Sequence, residues 1–157
     1  MKTMRRIVTI LLAIVMVLSF AACGGSEKTV TLRGDISDQT GMPTTDTWTL
    51  TAKGDTLQNL TEVLEIDLSE YDDATKEYVS STMSNLIMEP AKDIEGITCT
   101  DKSEGTTYTI EMAVDCTGDA VKQAVEAGIL TIDGTSDRIS LKQTQSALEG
   151  QGYEVVE

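Results

Sequence analysis

Three stretches of this chain alternate apolar and polar residues with a period of two, and that alternation commits it to a sheet with one buried face. Trp48, Leu50 and Ala52 alternate with Thr47, Thr49 and Thr51. Leu60, Leu64, Ile66 and Leu68 hold even positions with Thr61, Glu65 and Asp67 between them, and Tyr108, Ile110, Met112 and Val114 oppose Thr109, Glu111, Ala113 and Asp115. Successive side chains of a strand point to opposite faces, so each run predicts a half-buried strand. The turn residues Lys53-Gly54-Asp55 separate the first two runs, which predicts an antiparallel hairpin. Ile97 and Cys99, then Lys102-Ser103-Glu104-Gly105, precede the third run and predict a second hairpin. Val30 and Leu32, ending at Gly34-Asp35, add a short first strand, and residues 36–46, with Gly41, Pro43 and several Thr and Asp, read as a loop.

Between the hairpins the period changes to that of a helix. Asp72 or Asp73 can cap it, and Thr75, Val79, Met83 with Thr82, and Leu86 with Ile87 recur at three- and four-residue spacing, with Met88 closing the face, until Pro90 forbids continuation. Residues 119–127 predict a short helix with Val121, Ala124 and Val125 inward, stopped by Gly128. Residues 129–132 read as a further short strand or a turn. Ser140 opens a capping box, Leu141, Thr144 and Leu148 form the stripe of a last helix ended by Gly150, and Tyr153 with Val155 add a final strand. The order predicts an α+β fold: an antiparallel sheet of about five or six strands with about three helices on one face.

The first two dozen residues stand outside that pattern. Lys2, Arg5 and Arg6 precede an apolar run over residues 7–22 broken only by Thr9 and Ser19, which reads as an export signal. As a helix the run would span roughly 24 Å at ~1.5 Å per residue, short of the ~30 Å hydrocarbon core, so a retained membrane span is disfavoured. It ends Phe20-Ala21-Ala22-Cys23-Gly24-Gly25, similar to the lipobox of bacterial lipoproteins, in which the cysteine is lipidated and becomes the first mature residue. The organisation expected is therefore a signal peptide over residues 1–22, a lipidated Cys23 with a short tether over residues 23–28, and a single domain over residues 29–157.

Charge and composition exclude several classes of function. The mature chain carries nine Lys and Arg against 26 Asp and Glu, a net of −17. Nucleic acid is an improbable partner, since its binding draws on cations that neutralise phosphates. The chain has no His, which removes Ser-His-Asp and Cys-His catalysis and the commonest nitrogen ligand of zinc. Oxygen-rich loops can take Ca²⁺, and Asp35, Asp38 and Asp46, or Asp133 and Asp137 around Gly134-Thr135-Ser136, have that look, but neither has EF-hand spacing and a solvated acidic loop is the better reading. Asp72-Asp73 suits a helix N-terminus and Glu65 with Asp67 an exposed strand face rather than an acid-base pair. Met83, Met88 and Met112 sit on apolar faces and read as core, as does Trp48. Five aromatic residues remain after the signal, too few for a sugar-binding surface. No catalytic residue, metal ligand or cofactor is expected.

Cys99 and Cys116 make an even pair in an oxidising compartment. The hairpin argues against their bonding. With the turn at Glu104-Gly105 Cys99 faces Ile110, and with the turn at Ser103-Glu104 it faces Tyr108. Cys116 then lies about 20 to 27 Å away at ~3.3 Å per residue, whereas a disulfide needs Cα atoms within roughly 7 Å. Cys99 is expected as a small buried apolar residue and Cys116 at a strand end.

The turn Lys53-Gly54-Asp55, the stretch Lys92-Asp93-Ile94-Glu95-Gly96-Ile97-Thr98, Val114-Asp115, Ile139-Ser140-Leu141-Lys142 and the closing Gln151-Gly152-Tyr153-Glu154-Val155-Val156-Glu157 resemble, in order and spacing, the YehR-type family of small bacterial lipoproteins. The resemblance covers roughly residues 48–157 and the lipoprotein signal, while residues 35–46 and 128–138 depart from it. It implies envelope anchoring and an α+β domain, and it brings no activity or catalytic residue. The expected function is a non-enzymatic binding or interaction module, lipid-anchored on the extracytoplasmic side of the membrane, whose partner is another envelope protein or a small ligand. The alternative is a cation-responsive, Ca²⁺-binding envelope protein.

Overall fold

The computed structural model describes residues 15–17, 25–133 and 138–156. The alternating runs become strands of one antiparallel sheet. Its members are β2 (Glu27–Asp35), β3 (Thr44–Lys53), β4 (Thr56–Asp67), β5 (Ile97–Asp101), β6 (Thr107–Asp115) and β8 (Glu154–Val155), in the spatial order β5-β6-β4-β3-β2-β8. The longest strands lie at its centre, and the short β5 and β8 form its edges. A separate parallel pair joins β1 (Val15–Val17) to β7 (Thr131–Asp133). The rest of the expected signal, with Cys23, lies outside the described residues.

Period two holds along β3, where Trp48, Leu50 and Ala52 are buried and the Thr residues between them half-buried. The partner β4 has a bulge opposite Thr51 and Ala52, whose partners are Asn59 and Leu57. The extra residue, Gln58, resets parity so that Leu57 and Leu60, three apart, both face the core.

The helices are α1 (Ser37–Thr40), α2 (Asp73–Met83), α3 (Glu89–Ala91), α4 (Ala120–Glu126) and α5 (Leu141–Gly150). Residues 36–46 thus hold a helical turn and the start of β3 where a plain loop was expected. Asp72 is the cap of α2, its carboxylate accepting from Thr75 N at 2.8 Å. Pro90 does not stop the helical path, contrary to expectation. A π-helical turn over Ser84–Met88 joins α2 to α3, and Pro90 sits inside α3. A wider turn just before proline relieves the clash between its ring and the carbonyl four residues back.

The β5–β6 hairpin is displaced from both expected registers. Its turn is Gly105-Thr106: Glu104 and Thr107 exchange backbone hydrogen bonds of 3.1 and 3.0 Å, and Gly105 takes φ +59° at the first central position, as a primed hairpin turn requires. Cys99 therefore opposes Met112. It is half-buried, whereas Cys116 is buried, and both are free thiols. Burial pushes Cys99 up to about 11 and Cys116 up to about 12, which disfavours the thiolate at both.

The end of α5 that follows Ser140 is fastened to the β3–β4 turn. Asp55 accepts from Ser140 Oγ at 2.7 Å and from Lys142 N at 2.9 Å, and its own carbonyl accepts from Leu141 N at 2.9 Å. Leu141, Thr144 and Leu148 then face the core, which gathers the inner face of the sheet, Val79 and Met83 of α2, and Ala120 and Ala124 of α4 into one cluster.

Candidate functional site

The registers place one residue from each of the six strands of the antiparallel sheet in a single row across its inner face. Val155, Leu32, Trp48, Glu62, Met112 and Cys99 are successive partners from β8 to β5. Five of them suit an apolar face. Glu62, at the middle of the sheet, is a carboxylic acid with 5% of its surface exposed. The next row holds Gly34, Asp46, Leu64 and Ile110, which makes Asp46 a diagonal neighbour of Glu62.

The two acids are satisfied unequally. Asp46 Oδ2 accepts from Trp48 Nε1 at 2.7 Å and from Tyr153 Oη at 2.6 Å. Gly34 makes the second bond possible, because the Tyr153 ring lies over it; a Cβ there would come within 2.9 Å of two ring carbons. No donor among the described residues hydrogen-bonds the Glu62 carboxyl, and the neighbouring charge that acts on it is Asp46, of like sign. Burial pushes Asp46 up to about 6 against the two hydrogen bonds, which favour its charged form. Burial, and then the Asp46 charge, hold Glu62 well above the usual carboxylate range. Burial also raises the Tyr153 phenol, which keeps it a donor. Of the two, Asp46 with its two donors is the better placed to carry a negative charge, and Glu62 is the acid whose charged form its surroundings disfavour more.

Glu62 opens onto a cavity of about 270 Å³ between the sheet and the helices. Leu64, Ile110 and Met112 join it in the floor, Thr82, Met83, Leu86 and Ile87 form the wall from α2 and the π turn, and residues 127–129 close the side after α4. The volume is just below the ~300 Å³ at which small-molecule pockets begin, and the apolar lining with one polar anchor is their usual composition.

The residues singled out from the sequence are dispersed. Asp35 accepts from Ser37 N and Oγ, which lowers its carboxyl from the ordinary value, and Asp38 is exposed; Asp46 is buried in β3, so the three do not share a loop. Asp72 caps α2 and Asp73 pairs with Lys76. Glu65 approaches Arg33 on the outer face, and Asp67 accepts from Ser69 N. Asp133 lies in β7, and residues 134–137 of that acidic stretch fall outside the described residues. Among the described residues no three Cys, Asp or Glu are grouped to hold a metal ion. Met83 and Met112 are buried in the core and border the cavity, and Met88 packs against the core. Trp48 is core, as expected, with its indole N–H spent on Asp46. Sequence reasoning passed over Glu62, although its even position between Leu60 and Leu64 carries the inward parity.

No protein-family model and no curated protein matches the sequence. Among solved structures the chain is similar to the NMR structure of the E. coli YehR protein, with a TM-score of 0.63 at 18% identity over 85% of this chain and 93% of that one. It is also similar to the NMR structure of a protein from Streptococcus pneumoniae TIGR4, with a TM-score of 0.57 at 16% identity over 88% of this chain and 90% of the other. Both likenesses are carried by the architecture, since fewer than one residue in five is shared. The resemblance drawn from the turns and the closing segment thus extends to the whole sheet, and the chain has the fold of YehR.

Proposed function

We propose that this chain is a bacterial lipoprotein of the cell envelope, held by lipid on Cys23 at the extracytoplasmic side of the membrane, and that its domain is a non-enzymatic binding module whose ligand occupies the cavity above Glu62. The observation that carries the reading is the cavity itself: apolar walls, one buried carboxyl at the floor and one hydroxyl, from Thr82, at the side. That lining can enclose and orient a small molecule, while among the described residues the acid faces no second carboxyl, amine or thiol across the cavity. Anchoring rests on the Ala21-Ala22-Cys23 junction behind an apolar run. A diacylglyceryl thioether brings two acyl chains, and stable anchoring takes two such signals.

Two measurements on the full-length chain test it. A fatty acid analogue fed to expressing cells should label the wild type and leave Cys23→Ala unlabelled; equal labelling would remove the anchor. Titration with 2-phenylethanol, a neutral water-soluble probe, should give saturable binding read by Trp48 fluorescence, since this single tryptophan is the cross-strand partner of Glu62. Thr82→Phe, which fills the cavity from its wall, should abolish it. Unsaturable binding, or binding unchanged in that variant, would rule out the cavity as the site.

A further inference from the structure

We propose that the ligand of this cavity is a small monocationic amine with an apolar body, whose ammonium group is received by the Glu62 carboxylate while its body packs against Leu64, Met83, Ile110 and Met112. The inference rests on the binding reading above and specifies its ligand class. Glu62 is 95% buried, faces the cavity, and has neither a hydrogen-bond donor among the described residues nor a basic neighbour acting on it. A buried acid in that condition lacks the partner that buried charges require. An ammonium supplies three donors and the opposite charge. An anionic ligand would instead add a like charge beside Asp46, and a polycation would carry further charges into walls that cannot pair them. The chain's net charge of −14 also draws cations toward it.

Burial and the Asp46 charge disfavour the carboxylate in the empty site and an ammonium favours it, so capture of the ammonium is coupled to loss of the acid's proton. The carboxylic acid loses its proton to solvent, the carboxylate forms, and the ammonium keeps all three of its own. Binding should therefore release up to about one proton per ligand near neutral pH, and affinity should rise with pH until the free amine itself deprotonates.

The experiment compares 2-phenylethylammonium with 2-phenylethanol and 3-phenylpropionate, three probes of similar size and different charge, on the full-length chain in nonionic detergent. Calorimetry and Trp48 fluorescence give the affinities, and calorimetry in two buffers of different ionisation enthalpy gives the proton count. The ammonium should bind at least tenfold more tightly than the alcohol, with proton release, and the carboxylate should not bind. Glu62→Gln should bring the ammonium down to the level of the alcohol, whose own binding reports that the variant is folded. Equal affinity of ammonium and alcohol, or no response of the ammonium to Glu62→Gln, would overturn the inference and leave the cavity as a neutral apolar site. If neither probe binds, the binding reading falls with it.

Discussion

A carboxyl group in the middle of a sheet's inner face costs stability unless something compensates it, and Glu62 has little that does. Replacing it by Leu, of similar volume, should raise the unfolding free energy by about 1–3 kcal/mol at pH 8, read as a higher urea midpoint at unchanged slope. A lower midpoint would mean that Glu62 is compensated in the folded chain. Gly34 predicts the opposite sign. Gly34→Ala places a Cβ against the Tyr153 ring, and overpacking together with a weakened bond to Asp46 should lower stability by about 1–3 kcal/mol. Parity made Glu62 legible, since every even position from 60 to 68 faces inward, and Asp46 continues the parity of Trp48 by one step. Asp46 falls among loop signals in the sequence because Thr, Asp and Pro43 precede it and turn residues outweigh alternation over so short a stretch. Its hydroxyl donor could not be read at all, because nothing local links position 46 to position 153.

Caps and turns are the features of elements that a sequence states most openly, and here they hold at Asp72 and Ser140. Asp55 adds a contact across the fold that no local pattern announces, bonding Ser140 Oγ and Lys142 N at the start of α5. Asp55→Ala should cost about 1–2 kcal/mol in chemical denaturation, and loss of protection should concentrate at the amides of Leu141 to Gln143 in hydrogen exchange. Pro90 was misleading for a mechanical reason: its rule assumes a regular α-helix before it, and the π turn over Ser84–Met88 changes that geometry. The β5–β6 register differs from the two expected ones by two and four residues because Gly105 serves the turn from its first central position, a choice that Ser103, Glu104 and Gly105 leave open. In the observed register Cys116 lies four positions beyond the partner of Cys99, about 13 Å at ~3.3 Å per residue. Intact mass of the unreduced chain, unfolded with alkylating agent present, should show both thiols modified, and an unmodified pair would mean another pairing of these strands.

Summed over the molecule, the acids set two opposing limbs of stability against pH. Asp35, Asp67, Asp72 and Asp115 are held low by bonds from Ser37, Ser69, Thr75 and Thr117, so their contribution is present above about 3.8 and lost as pH falls through their folded values. Asp46 works the other way: raised to about 6, it favours the folded state fully below 3.8 and loses that contribution, roughly 3 kcal/mol, as pH rises through 6. The melting temperature should therefore climb as pH is lowered from 8 to 5 and drop below about 4, and Asp46→Asn should flatten the upper limb. A melting temperature that falls steadily from pH 8 downward would contradict the assignment. The strand order shows when that acid acquires its surroundings. β8 completes the sheet beside β2, and Tyr153 reaches back 107 positions to Asp46. The phenol and the acid it serves are therefore joined by one of the longest loops in the fold, and contacts so distant in sequence form slowly. The acid that burial raises is thus held by two distant parts of the chain at once, and its full environment exists only when β8 has joined the sheet.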